Sequence, residues 1–353
     1  MPGVSAGLAW LPAPERAALD AVRYLNTRFP KARLREVPVV RAAELDARAD
    51  PSGQTRVWLA LEALQVTGSF KVRGALVSLD AHRSYGHVVA ASVGNHGVAI
   101  AYAARVLGLS ATVCVPRAAA RAKRDKIERY GAELVVAPSD HYCDAEQLGR
   151  AIAAAHGGVF LSPHGNVDVV TGNGCSLGFE IVRALGGVPE RVLAPFGGGE
   201  LPIGLAWALA SEAGSAEREV WGVKTEASRA VPKFVDQGVH THDSDTPPVD
   251  ADGPRSESGI ATATFDRALG EIAGIIVATE AQVSAAMAHA YRDMGLIVEG
   301  SAATALAPVL FGLPKPVCGG DLVVVLTGRN VDPENLEAVV RQAARSGQGP
   351  DRG

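Results

Sequence analysis

Lys71 stands in the run Thr67-Gly68-Ser69-Phe70-Lys71-Val72-Arg73-Gly74-Ala75, behind a Gly-Ser turn and ahead of a helix-compatible stretch. A lysine held there and partly desolvated loses its preference for the ammonium form and becomes a nucleophilic amine, as Schiff-base chemistry requires. On its own the run fits an ordinary solvated lysine better, because lysine is mostly exposed. Three further segments change that balance. Ser92-Val93-Gly94-Asn95-His96-Gly97 follows the apolar run Val88-Val89-Ala90-Ala91 and precedes a helical run from Val98 to Leu107. Pro195-Phe196-Gly197-Gly198-Gly199-Glu200-Leu201-Pro202 follows Val192-Leu193-Ala194 and also feeds a helical run. Where a strand turns into a helix, side-chain-free amides converge and the helix start favours a negative group, so Gly197 to Gly199 suit an anion; an ordinary tight turn is the alternative. Val323-Val324-Val325-Leu326-Thr327-Gly328-Arg329-Asn330 ends a late strand, and Glu299 opens the helical run after Val298.

In this order and at this spacing, the four segments resemble the pyridoxal-phosphate (PLP) enzymes of the tryptophan-synthase-β type, fold type II. Within them the chain looks most like the serine/threonine dehydratases, over roughly residues 35 to 345. The resemblance implies that Lys71 holds PLP and then takes the substrate's Cα proton. Gly197, Gly198 and Gly199, with the amides of Glu200 and Leu201, would cradle the phosphate. Asn95 would meet the ring hydroxyl, Phe70 the ring face, Thr327 the pyridine nitrogen, and Glu299 would lie near the ring. Ser92, Gly94, His96 and Gly97 would receive the substrate carboxylate, and His164 would contact the substrate. Plain packing remains open for Phe70, helix capping for His96 and a bland surface loop for His164. The implied reaction is elimination of a β-hydroxyl from a serine- or threonine-type amino acid, with the cofactor phosphate able to protonate the leaving group. The products are a 2-oxo acid and ammonia.

Several positions depart from that pattern. Relatives usually carry a fourth glycine where Glu200 stands, so this carboxylate is expected to point away from a dianionic phosphate. Thr327-Gly328-Arg329-Asn330 replaces Ser-Gly-Gly-Asn, and Pro163-His164-Gly165-Asn166 replaces a segment with Phe and Asp. Lys224 sits where some relatives place an acidic metal ligand, so no metal is expected. Related racemases carry a proton-bearing serine where this chain has Val93, which argues against racemisation. A β-replacement synthase is one alternative, but family sulfhydrylases tend to have Asn-Thr-Gly in place of Asn95-His96-Gly97. A non-catalytic PLP- or amino-acid-binding protein is another, opposed by the retention of Lys71.

The elements that must carry these residues alternate. Short apolar runs at 57–61, 88–92, 111–115, 134–137, 159–161, 192–196, 220–225, 275–278 and 322–326 are separated by helical runs. Continuous apolar strands between helices predict an α/β fold with parallel sheets covered on both faces. Two domains are expected, with the cofactor in the interdomain cleft, where ligands of α/β folds usually sit. The resemblance divides the chain into a large PLP-binding domain (1–84 and 169–345), a small closing domain (85–168) and a tail (346–353). An amphipathic helix over 14–25 with a stop at Pro30, and a long polar loop over 236–258, complete the reading.

Bulk properties exclude other classes. With 353 residues, 47% hydrophobic and 20% charged, the chain can bury a large core. A net charge of −4, from 34 basic and 38 acidic residues, gives no case for nucleic acid or an anionic membrane as partner. The basic stretch from Arg117 to Lys126 reads as a solvated helix face. Cys114, Cys143, Cys175 and Cys318 form no CxxC pair, which suits a reducing compartment, and His141 with Cys143 lacks a second ligand pair for zinc. With no signal-peptide pattern and no membrane-length apolar run, a soluble cytoplasmic protein is expected, as a homodimer acting on a small amino acid.

Overall fold

The structure is a computed structural model that describes residues 11–92, 94–213, 218–226, 270–314 and 319–345. Among these, ten strands form two sheets. They are β1 (Val39–Arg41), β2 (Thr55–Ala60), β3 (His87–Ala91), β4 (Ser110–Val115), β5 (Glu133–Val136), β6 (Val159–Phe160), β7 (Arg191–Pro195), β8 (Glu219–Thr225), β9 (Gly274–Ala278) and β10 (Gly320–Val325). The six-stranded sheet runs β1-β2-β10-β7-β8-β9, and the four-stranded sheet β5-β4-β3-β6. Every pairing is parallel except that of β1 with β2. The nine apolar runs all form strands. The nine runs do not include β1, a three-residue edge strand with no buried residue, although Val39 and Val40 are apolar.

Parallel strands buried on both faces need apolar side chains at consecutive positions. β10 shows this: Val323 and Val325 join one core cluster with Val192 and Ala60, while Leu322 and Val324 join another with Val57, Leu59 and Leu193. At the N-terminus a helix covers Ala13–Ala21 and a short turn Leu25–Arg28. The Leu25–Arg28 turn ends just before Pro30, as expected, and Pro30 then opens the turn Pro30–Ala32, in keeping with proline's fit to a first helical position. The expected 236–258 loop and the 346–353 tail lie outside the described residues.

One buried ionic network bears on the site. The helix Lys71–Ala81 carries Arg73, whose side chain is fully buried. Its guanidinium donates to Glu62 at 2.8 and 3.0 Å and to Glu180 at 2.7 and 2.9 Å. Glu180 also accepts the Val37 amide at 2.8 Å. The next residue, Gly74, donates its amide to Asn173 Oδ1 at 2.9 Å. Asn173 belongs to a π-helical turn, Thr171–Cys175, where Gly172 lies against the Gly74 backbone too closely for any side chain. Widened turns of this kind recur near functional sites. Together these contacts fix where Lys71 begins its helix.

Candidate active site

Each motif follows the carboxyl end of a strand: Lys71 after β2, Ser92 after β3, Gly197 after β7 and Thr327 after β10. Backbone hydrogen bonds tie several of them together. Phe70 donates to Thr327 O at 3.0 Å, Arg329 to Gly68 O at 2.9 Å and Glu299 to Gly328 O at 3.0 Å, and Ser69 bridges Gly328. Phe70, Lys71, Ser92, Gly94, Asn95, His96, His164, Gly197, Gly198, Gly199, Glu200, Leu201, Glu299 and Thr327 line one pocket. Tyr142, Pro163 and Ser301 join them.

Gly97 is the exception. Its amide, expected to face the substrate, donates to Ser92 Oγ at 2.9 Å, and Gly97 does not line the pocket. Ser92 Oγ also accepts the Gly94 amide at 2.9 Å and donates to Gly94 O at 3.1 Å. The hydroxyl thus shapes the start of helix Asn95–Leu107, leaving the loop preformed.

Lys71 is half-buried, and its desolvation pulls the amine below the ordinary lysine value, against the opposing charge of Glu200. Its Nζ lies 5.0 Å from the centroid of the Phe70 ring. His96 is buried with Nε2 3.4 Å from Leu161 O. Burial, then the charge of Lys71, push it down to about 3, so the ring is neutral at physiological pH.

Glu200 corrects an expectation. Its carboxylate does not turn away from the glycine loop; a Cβ placed on Gly198 would strike both its oxygens and His164 Nδ1. Glu200 Oε1 pairs with His164 Nδ1 at 3.0 Å. Burial alone would raise the carboxyl, but the charge and hydrogen bond of His164, with Lys71, outweigh it and hold Glu200 below its ordinary value.

A second polar group escaped the sequence reading. Asn95 donates to the Glu299 carboxylate and accepts from Asn330 Nδ2 at 2.7 Å. Lys126 donates to Asn330, and Lys123 Nζ lies 3.7 Å from Glu299 Oε2. The stretch read as a solvated face is therefore divided: Arg121 is 90% exposed, whereas Lys123 is 2% exposed. Burial lowers the Lys126 amine. The i, i+3 spacing of these lysines puts them on one face of helix Arg121–Arg129, a signal that was available.

Lys224, read as replacing a metal ligand, is buried on β8, and burial lowers it to about 8. Among the described residues no group of three or more His, Cys, Asp and Glu side chains is arranged to hold a metal.

Gly197 to Gly199 precede the helix Glu200–Ala213, and the space beside Gly198 is one that any Cβ would fill. A side-chain-free helix start and a half-buried amine in one pocket suit a ligand with a phosphate and an aldehyde. The family model described as pyridoxal-phosphate dependent enzyme matches residues 32–328. The chain belongs to this family. As a PLP-dependent enzyme it is similar to the L-threo-3-hydroxyaspartate ammonia-lyase of a Pseudomonas species, 32% identical over 86% of this chain and 92% of the relative. Among solved structures, the T.th. threonine deaminase is 30% identical with a TM-score of 0.76, covering 90% of this chain and 98% of that one. Maize serine racemase shares the fold at 22% identity, with a TM-score of 0.79 over 93% of this chain and 98% of its own.

In this PLP-dependent enzyme, Gly198→Asp is expected to abolish cofactor retention. The new side chain would bring both bulk and a repelling charge to a space already bounded by His164 and Glu200. Absorbance after dialysis checks this; unchanged retention would place the phosphate elsewhere.

Proposed function

We propose that this PLP-dependent lyase removes the β-hydroxyl of a serine- or threonine-type amino acid and releases a 2-oxo acid and ammonia. The observation that carries the reading is a half-buried amine, lowered by desolvation, in the same pocket as the glycine helix start. The names of the relatives, an L-threo-3-hydroxyaspartate ammonia-lyase and a threonine deaminase, support the substrate class.

Bound there, PLP supplies a sink for the electron pair left at Cα. Lys71 anchors it and, once displaced, takes the Cα proton, since an amine lowered by burial is available in its neutral form. The amides at Gly197 to Leu201 hold the phosphate at the helix start. Asn95, held by Glu299 and Asn330, would meet the ring hydroxyl. Thr327 offers a neutral hydroxyl to the ring nitrogen, and the milder sink suits elimination, in which the leaving group drains the electrons. The Gly94–His96 backbone, shaped by Ser92, receives the substrate carboxylate.

The proposed division into 1–84 with 169–345 and 85–168 is supported by the strands: β3 to β6 fall in the second part and all the others in the first. No helix among the described residues is long and apolar enough to cross a membrane. A cytoplasmic homodimer is proposed.

The test is to incubate the PLP-loaded protein with a panel of β-hydroxy amino acids, with and without an added thiol. Oxo-acid release independent of the thiol is expected. Accumulation of a thioether in its place would mean replacement chemistry.

Racemisation should be slow. It needs a proton donor on each face of Cα, and Val93, which lies outside the described residues, has no proton to give. His96, the histidine of that segment, is neutral and turned toward Leu161 O. Losing a general acid costs ~10²–10⁴-fold, so elimination should outrun inversion by about that factor. Solvent-deuterium exchange on single enantiomers measures it; an opposite enantiomer appearing before the oxo acid would reveal a second acid.

A further inference from the structure

We propose that Lys126 is a positioning residue for the cofactor: acting through Asn330, it fixes Asn95 as a hydrogen-bond donor to the ring hydroxyl oxygen. This rests on the reading above that Asn95 meets that oxygen. It gives a role to two side chains, Lys126 and Asn330, that do not line the pocket.

An amide side chain can face a partner with its oxygen or with its nitrogen. The two faces act oppositely on a ring oxygen. A donor stabilises the ionised oxygen, whereas an acceptor calls for the oxygen to keep its proton. Which face Asn95 shows is therefore a chemical choice, and its surroundings must make it.

The side chains around it form a one-way series. Lys126 donates to Asn330 Oδ1. Asn330 Nδ2 gives its two hydrogens to Thr67 O at 3.1 Å and to Asn95 Oδ1 at 2.7 Å. Asn95 Nδ2 donates one hydrogen to Glu299, and its second is left for the ring oxygen. An ammonium can only donate, while a carbonyl and a carboxylate can only accept. Turning Asn330 around would set its oxygen against Thr67 O and its nitrogen against the ammonium. Turning Asn95 around would set its oxygen against the carboxylate. Helix Arg121–Arg129 serves both ends of the series: Lys126 opens it, and Lys123, 3.7 Å from Glu299 Oε2, places a cation beside the last acceptor.

The middle and end of the series are dry, with Asn330 2% and Glu299 0% exposed. In such a setting each hydrogen bond polarises the next, so a cation at the start makes the Asn95 N–H a stronger donor. Asn330 is also boxed in by the turn that feeds Lys71. Gly68 has a φ of +80°, and a Cβ there would strike Asn330 Oδ1, the atom that Lys126 holds. One amide thus packs against the Lys71 turn and orients Asn95, and Lys126 fixes its direction.

The absorbance of the PLP-loaded protein, without substrate and at a single pH, reads the ring oxygen. The long-wavelength band belongs to the form with that oxygen ionised, the short-wavelength band to the form in which it keeps its proton. In Lys126→Met the long-to-short ratio should fall ~3-fold or more, the effect of losing about one hydrogen bond. Lys126→Arg keeps a cation that only donates and should restore most of the ratio. Asn330→Ala should lower the ratio as well, and adding Lys126→Met to it should change nothing further, because Lys126 acts through that amide. An unchanged ratio in Lys126→Met overturns the proposal. So does an undiminished fall when Lys126→Met is made in Asn330→Ala, which would mean that the charge acts through space. Should Asn330→Ala fail to fold, the comparison of Lys126→Met with Lys126→Arg decides alone. If Asn95→Ala also leaves the ratio unmoved, Asn95 does not meet the ring oxygen, and the reading beneath the proposal fails with it. None of these readouts needs turnover, so the lyase reading stands or falls separately.

Discussion

Lys71→Ala should lower oxo-acid release by ~10⁴-fold or more, because one side chain both anchors the cofactor and moves the Cα proton. The variant should still fold. An amine held below its ordinary 10.5 destabilises the folded state wherever the unfolded chain would bind that proton, that is, below pH 10.5. Removing it relieves that cost, so the thermal midpoint at neutral pH should stay level or rise. PLP should be retained more weakly, through the glycine loop, with the imine absorbance gone. Turnover at the wild-type rate would show that another group performs the reaction.

Arg73→Met should be the most destabilising single change near the site. Glu62 and Glu180 would be left as buried carboxylates without their cation. Breaking a buried pair from one side typically costs about 3–5 kcal/mol. Burial already raises the Glu62 carboxyl against the pull of Arg73, so without the arginine it should rise further. Urea unfolding measures the loss. Adding Glu62→Gln and Glu180→Gln to the variant should restore part of it, since no carboxylate is then stranded. Activity should fall alongside stability, because the same network seats the helix that begins at Lys71. Unfolding at the wild-type urea midpoint would mean that packing, not the ion pairs, holds this helix.

Much of the frame was legible because its signals are local. A strand buried on both faces writes itself as a run of apolar residues, and nine such runs became strands. The motif loops were legible for a similar reason, since glycines and the residues between them are adjacent in the chain. What could not be read depends on partners far away in sequence. Arg73 and Glu180 are 107 positions apart, and Asn95 and Glu299 are 204 apart. Neither pairing leaves a local trace. Glu200 illustrates the same limit: repulsion from a phosphate argued that it should turn outward, but His164, 36 positions earlier, holds it in the pocket. The edge strand β1 lies outside the nine runs because it is only three residues long, and Val39-Val40 is too short a run to stand out.

The most direct test of the account is the product balance of the PLP-loaded protein with a single β-hydroxy amino acid. Ammonia and 2-oxo acid should appear together, one of each for every substrate molecule consumed, and neither should appear with Lys71→Ala. Substrate consumed without ammonia, or ammonia released without the oxo acid, would contradict β-elimination at this site.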